Sequence, residues 1–268
     1  MMETRTTYRW AGLGLGLTLG FAGFGVASSA RLAANAETVV VEATPDPAAA
    51  VAGYDALLRE HVDAEGLVDY RAIIADPARL DAYIEYLAEA DLNAISGDAR
   101  LATLINAYNA FTLRLIADYP RVDSIFDIPE DRRWVHVRWS LGGRTVSLDE
   151  LEHRIIRVDF DEPRIHWAVV CAAISCPPLR PEAYTAEDLD DQLADQDRTV
   201  HTSPKWQQFD PQANVLKLTP LYDWYGEDFG DGSPAAIVAN VAPHVEGLDA
   251  GDTPALDWLH YDWALNQQ

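Results

Sequence analysis

Arg164-Ile-His-Trp-Ala-Val-Val-Cys-Ala-Ala-Ile-Ser-Cys-Pro-Pro178 holds both cysteines of the 268-residue chain, together with a histidine. Ile165 to Val170 is apolar and β-prone, and this pattern predicts a buried strand over Arg164–Cys171. Cys171 then stands at the end of that strand, and Cys176 follows in a Ser-Cys-Pro-Pro turn. A scaffold presents chemistry at such a place. A protein of an oxidising compartment puts a small disulfide there equally well.

Working outward, Asp98 to Tyr119 has helical periodicity. Leu101, Leu104, Ile105, Tyr108, Thr112, Leu115 and Tyr119 form one stripe, Ser96 is placed to cap it, and Pro120 stops it. Asn106 and Asn109 fall three apart on its flank. Asparagine is a mediocre helix former, so the pair either bridges neighbouring loops or serves a site. Val51–His61 and Leu80–Ala90 predict two further helices. Trp134–Trp139 alternates as a strand and turns through Leu141-Gly-Gly-Arg144 into Thr145-Val146. Ser147-Leu-Asp-Glu150 is a capping box. It opens a helix with Leu148, Leu151 and Ile155 on the buried face and Glu152 and His153 in its middle. Thr185 to Asp188 caps a helix to about Val200, Val215–Leu218 is a short strand, and Ser233-Pro234 starts a last helix. Trp258–Trp263 is an aromatic tail that docks on the domain. The mixture predicts an α+β fold: a small antiparallel sheet of 134–139, 145–146, 164–171 and 215–218 packed against several helices.

The N-terminus has Arg5 and Arg9, then an apolar stretch from Trp10 to Val26, then Ala34-Asn35-Ala36. This pattern predicts a secretory signal peptide over 1–36 and an exported protein, periplasmic or extracellular. A disordered linker follows over 37–50, and a single α+β domain over 51–268. The formal net charge is −23 and the only lysines are Lys205 and Lys217. Loss of 1–36 removes Arg5, Arg9, Arg31 and Glu3, which makes the remainder more acidic still. Such a surface repels nucleic acid and anionic membrane, so neither is expected as a partner. No stable membrane insertion is expected after signal removal.

A nucleophilic cysteine needs a base in hydrogen-bond reach and a group that orients the base. Cys171 is the leading nucleophile and His153 the leading base, with Glu152, Asn106 or Asn109 to orient it. Cys176, His166 and Arg164 are secondary candidates; on a strand His166 would point away from Cys171. Cys171, Cys176, His153 and His166 are also four possible zinc ligands, without the usual ligand spacing. No cofactor or resident metal is expected. Glu227 and Asp228 read as solvated surface, because acids are common throughout this chain.

Leu104-Ile-Asn-Ala-Tyr-Asn-Ala110, Tyr119-Pro120 with Ser124-Ile125, Ser147-Leu-Asp-Glu-Leu-Glu-His153, and Arg164-Ile-His-Trp-Ala with Cys171 and Ser175-Cys-Pro177 together resemble the domain of unknown function 547 family. The resemblance covers roughly 98–203. It centres the family pattern on Asn106, Asn109, Glu152, His153 and Cys171, and it favours Cys171 over Cys176. These residue types are similar to the Cys-His-Asn set of papain-like enzymes, in a different chain order, so a distant papain-like arrangement is an expectation by analogy. The expected function is a thiol-dependent hydrolase or acyltransferase acting on a small-molecule, peptide or envelope substrate. A non-catalytic envelope-binding module and a zinc-dependent enzyme are the alternatives.

Overall fold

The computed structural model describes residues 46–268, and α4, Gly97–Asp118, runs through the middle of them. The stripe expected on this helix is only part of what it buries. Every residue from Leu104 to Leu113 is buried, including Asn106 and Asn109. A helix apolar on all sides belongs inside a domain, and the two asparagines are interior residues. Ser96 occupies the N-cap position without a side-chain hydrogen bond, and Tyr119 ends the helix ahead of Pro120.

Around α4 lie α1 (Pro47–His61), α2 (Tyr70–Ala75) and α3 (Ala78–Glu89). α1 and α3 meet through the stacked rings of Tyr54 and Tyr83, whose centroids are 4.3 Å apart. The expected signal peptide and the first part of the expected linker lie outside the described residues. The end of that linker is helix. Asp46 accepts a hydrogen bond from the Ala48 amide, Pro47 takes the first helical position, and Ala50 is already buried. A proline that read as linker punctuation is here a helix starter.

The chain is an α+β protein with two small sheets. The hairpin forms as β1 (Trp139–Leu141) and β2 (Arg144–Val146), but residues 134–138 precede it as irregular backbone. The second sheet joins β3 (Gln207–Asp210) to β4 (Val215–Leu218) antiparallel, and β4 to β5 (Ala255–Trp258) parallel. Arg164–Cys171 is in neither sheet. Glu162 accepts from the Arg164 amide, Pro163 starts a 3₁₀ helix over Pro163–Trp167, and irregular backbone follows. A short apolar run enclosed on all sides carries no periodic signal to separate strand from helix, and the proline decides the local geometry.

The capping box forms as expected: Ser147 accepts from the Glu150 amide at 3.0 Å, and Glu150 accepts from the Ser147 amide at 3.1 Å. The helix it opens is not uniform. Leu148–Glu150 is α-helical, Leu151–Ile156 is a π turn in which the Arg157 amide donates to the Glu152 carbonyl, and Arg157–Asp159 is α-helical again. Ser233 caps the Pro234–Val241 helix by accepting from the Ala236 amide.

The aromatic tail docks, and its last residues lace three separate segments together. The Ile174 and Ser175 amides donate to Ala264 and Asp262 carbonyls, and the Asn266 amide donates to the Ala172 carbonyl. The Leu265 amide donates to Asp123, while Val68 pairs with Asn266 and Gln268. Residues 261–268 therefore hold the cysteine loop from one side. Gly66 abuts the same loop, with φ of 77°, and a Cβ there would lie 2.5 Å from Pro178 Cβ. Gly66→Ala combines backbone strain with a clash two residues beyond Cys176. A loss of about 2–4 kcal/mol is expected by urea unfolding, with a larger fall in thiol protection than a surface Gly→Ala change produces.

Candidate functional site

The backbone around Cys171 is positioned from below by α4. Asn109 donates from Nδ2 to the Ala168 carbonyl (2.9 Å) and accepts from the Val170 amide (2.9 Å). Asn106 does the same for Tyr184, donating to its carbonyl (2.8 Å) and accepting from its amide (2.9 Å). Each asparagine stands in for a strand neighbour to a loop that has none. Both amides are therefore committed to backbone, and neither asparagine lines the cavity that Cys171 faces. Their expected role, orienting an imidazole, does not fit this geometry; they position the loop instead.

That cavity, of about 300 Å³, brings Cys171, Cys176, Glu152, His153 and His166 together. Trp134, Trp224, Tyr225, Tyr261 and Trp263 supply its aromatic walls. Ala172, held at φ of 62°, turns the chain between the thiols. Both cysteines are free. Their sulfurs lie 3.1 Å apart, Cys171 N–H donates to Cys176 Sγ (3.1 Å), and Tyr261 OH stands 3.3 Å from Cys171 Sγ.

The two thiols are unequal. The hydrogen bond from Cys176 lowers Cys171 below the ordinary thiol value. Tyr261 and the Ala173 backbone add to this, against burial and the charge of Glu152. Burial drives Cys176 well up. Burial, then the neighbouring thiols, also keep Tyr261 protonated, so its hydroxyl is a donor to sulfur.

His153 makes no hydrogen bond to either thiol. Its Nδ1 lies 3.2 Å from Arg157 Nη1 and 3.9 Å from Glu152 Oε1, and its Nε2 lies 3.8 Å from Asp149 Oδ1. An arginine can only donate, so Nδ1 is the accepting nitrogen and Nε2 carries the proton. Glu152 itself is buried beside the Tyr108 and Tyr225 phenols. Burial first, and then the Glu152 carboxylate, keep both phenols protonated.

The other histidine is more tightly ordered. His166 is buried, lies 4.2 Å from the Tyr225 ring in a stacked arrangement, and puts Nε2 2.6 Å from Asp228 Oδ2. Asp228 in turn accepts two bonds from Arg157, at 2.6 and 2.8 Å. Burial works to raise the Asp228 carboxyl. The bonds from His166 and Arg157 outweigh it and hold the group well below the usual carboxylate range. Asp228 is thus a structural carboxylate, contrary to its reading as solvated surface. The signal available in the sequence was its place among aromatics in Tyr222–Phe229, directly before Phe229 and three residues after Tyr225. Arg164 lies apart, paired with Glu162 and Asp190.

Cys171, Cys176, His153 and His166 do not converge as a ligand set. Among the described residues, the group of metal-ligand type with donor atoms within 4.8 Å is Asp197, His201 and His244. That group is already paired internally: the Asp197 carboxylate lies 3.1 Å from His201 Nδ1 and 3.0 Å from His244 Nε2, His201 Nδ1 is 2.7 Å from the Asp197 carbonyl, and His201 Nε2 is 2.6 Å from Tyr222 OH.

Residues 92–199 match the family model described as "Protein of unknown function, DUF547". That segment, less than half of the chain, is similar to the DUF547 family. The match contains Asn106, Asn109, Glu152, His153, His166 and both cysteines. Asp228, Tyr225, Tyr261 and Trp263 lie beyond it, so part of the cavity wall is built outside the DUF547 segment. No curated protein and no solved structure matches the chain. No helix among the described residues is long and apolar enough to cross a membrane.

Two outcomes are expected. Asn109→Ala leaves a buried carbonyl and a buried amide unpaired and costs about 2–4 kcal/mol in urea unfolding. Asp228 has a depressed folded-state pKa. Its contribution is therefore complete above the ordinary aspartate value of about 3.9 and disappears as pH falls through the depressed value. The stability gap between wild type and Asp228→Asn should be constant at neutral pH and close on the acid side of about pH 4; a gap that widens there contradicts the assignment.

Proposed function

We propose that this chain is a thiol-dependent hydrolase or acyltransferase in which Cys171 is the nucleophile and His166, tethered by Asp228, moves the proton. The observation that carries this reading is one cavity lined by both a thiol of lowered pKa and an imidazole whose Nε2 is tied to a carboxylate. The tether leaves Nδ1 as the working nitrogen, the division of labour that a carboxylate imposes on a catalytic histidine. His153, with Nδ1 already on Arg157, suits binding a substrate polar group at the rim.

The steps follow from these roles. Cys171 thiolate attacks an acyl carbon, and the Tyr261 hydroxyl is near enough to donate to the developing oxyanion. The bond to the leaving group breaks as His166 supplies it a proton, leaving a thioester on Cys171. Water, or an acceptor alcohol or amine, gives its proton to His166 and attacks the thioester, and Cys171 leaves as thiolate. The aromatic walls favour an acyl or leaving group with apolar or flat surface. The N-terminal Arg5–Ala36 pattern supports action outside the cytoplasm, on a small molecule, peptide or envelope component.

A non-catalytic binding module has one observation in its favour: Trp224, at 44% exposure, presents an aromatic wall to solvent. Reactivity separates the two readings. Iodoacetamide should alkylate Cys171 with a midpoint below the ordinary thiol value of about pH 8.5. Hydrolysis of p-nitrophenyl acetate should vanish in Cys171→Ser and fall by about 10²-fold or more in Asp228→Asn. An unshifted alkylation midpoint together with unchanged hydrolysis in Cys171→Ser would leave the binding module as the reading.

A further inference from the structure

Acyl transfer at Cys171 gives no covalent role to Cys176, yet Cys176 is the group closest to the nucleophile. The two sulfurs are 3.1 Å apart. The thiols also differ in access. Cys171 is partly exposed on the cavity, and Cys176, which also borders it, is only 5% exposed. A structural cysteine pair in a protein core has no need of an open cavity at one member. A metal pair would need further ligands, and none converge on these sulfurs among the described residues. The turn between them, Ala172-Ala-Ile-Ser175, is fixed at both ends. Asn109 holds Ala168 and Val170, the tail holds Ala172, Ile174 and Ser175, and Pro177-Pro178 follows Cys176. Short approach is thus imposed by the scaffold, and closing a disulfide requires about 1 Å of sulfur movement from contact to bonding distance.

We infer that Cys171 and Cys176 form a dithiol that exchanges with the disulfide of a small thiol compound or peptide, Cys171 attacking and Cys176 resolving. In the first step Cys171 thiolate attacks one sulfur of the substrate disulfide. A mixed disulfide forms on Cys171, and the other substrate sulfur leaves as thiolate, taking the Cys176 proton. In the second step the Cys176 thiolate attacks Cys171 Sγ, the Cys171–Cys176 bond forms, and the second substrate thiol leaves and is protonated from solvent. Two electrons pass from the protein dithiol to the substrate, which becomes two thiols. The asymmetry of the thiols suits this order, since the attacking sulfur needs thiolate character and access, and the resolving sulfur needs only proximity. Cys171 N–H, already donating to Cys176 Sγ, stabilises the resolving thiolate as it forms. The exchange stands on the thiol pair alone and does not depend on His166 or Asp228.

The test uses the full chain, reduced and freed of reductant, with glutathione disulfide as probe and acid-quenched intact mass as readout. Wild type should pass to an internal disulfide with two glutathiones released per chain and little adduct at any time. Cys176→Ser should stop at one glutathione on Cys171. Cys171→Ser should react at least about tenfold more slowly than wild type, because its remaining thiol is buried. A stable glutathione adduct on wild type, or no reaction above that of free cysteine, overturns the inference without recourse to the variants. The same preparation assayed with p-nitrophenyl acetate reports acyl transfer separately. Exchange without acylation removes the hydrolase reading only, and acylation without exchange removes this one only.

Discussion

An irregular backbone can be buried only if something supplies the hydrogen bonds that a sheet or helix would have supplied, and residues 168–176 of this chain meet that constraint with borrowed partners. Asn109 closes a two-point bond on Ala168 and Val170 from beneath. The tail completes the loop from above through Asp262, Ala264 and the Asn266 amide. With these backbone groups paired, the loop can keep Ala172 at positive φ and hold two thiols in contact at the edge of a cavity. The core asparagines therefore act at one remove from the chemistry. They fix where sulfur sits.

Charge around the cavity is arranged in opposition. Glu152 is buried close enough to disfavour a thiolate at Cys171, and the thiol of Cys176 and the Tyr261 hydroxyl outweigh it. Across the cavity, Arg157 binds Asp228 and Asp228 binds His166, so that guanidinium is spent on keeping a carboxylate ionised. In a chain with a net charge of −23 this is a consistent economy: neutral donors carry the stabilisation of the sulfur.

What was legible in the sequence was whatever carries its own local period or cap. α4, the Ser147 capping box, β4 and the Ser233-Pro234 start all have short-range signals and formed where those signals lie. The α+β class followed from them. Arg164–Cys171 misled because a mostly apolar run, broken only by His166, looks the same in any buried conformation, and only Pro163 and the neighbours beyond it choose the 3₁₀ turn. The cavity's thiols, Glu152 and both histidines were visible as residue types, and their pairings were not. His153 looked like the partner of Cys171 because it lies on a separate helix, while the π turn at Leu151–Ile156 hands its Nδ1 to Arg157. Asp228 and Tyr261 reach the site from 57 and more positions beyond Cys171, across distances no local pattern spans.

The lacing of residues 261–268 over the cysteine loop also sets an order of events during synthesis. When Cys171 and Cys176 leave the ribosome, the segments carrying Tyr225, Tyr261 and Trp263 have not yet been made, since Tyr261 is 90 residues further on. Contacts of such long range close late and slowly. Until the tail arrives, the two sulfurs are part of an open chain and behave as ordinary thiols. The nascent protein is therefore chemically quieter at Cys171 than the folded one, and the reactivity of the site is conferred by a part of the chain made well after the thiols themselves.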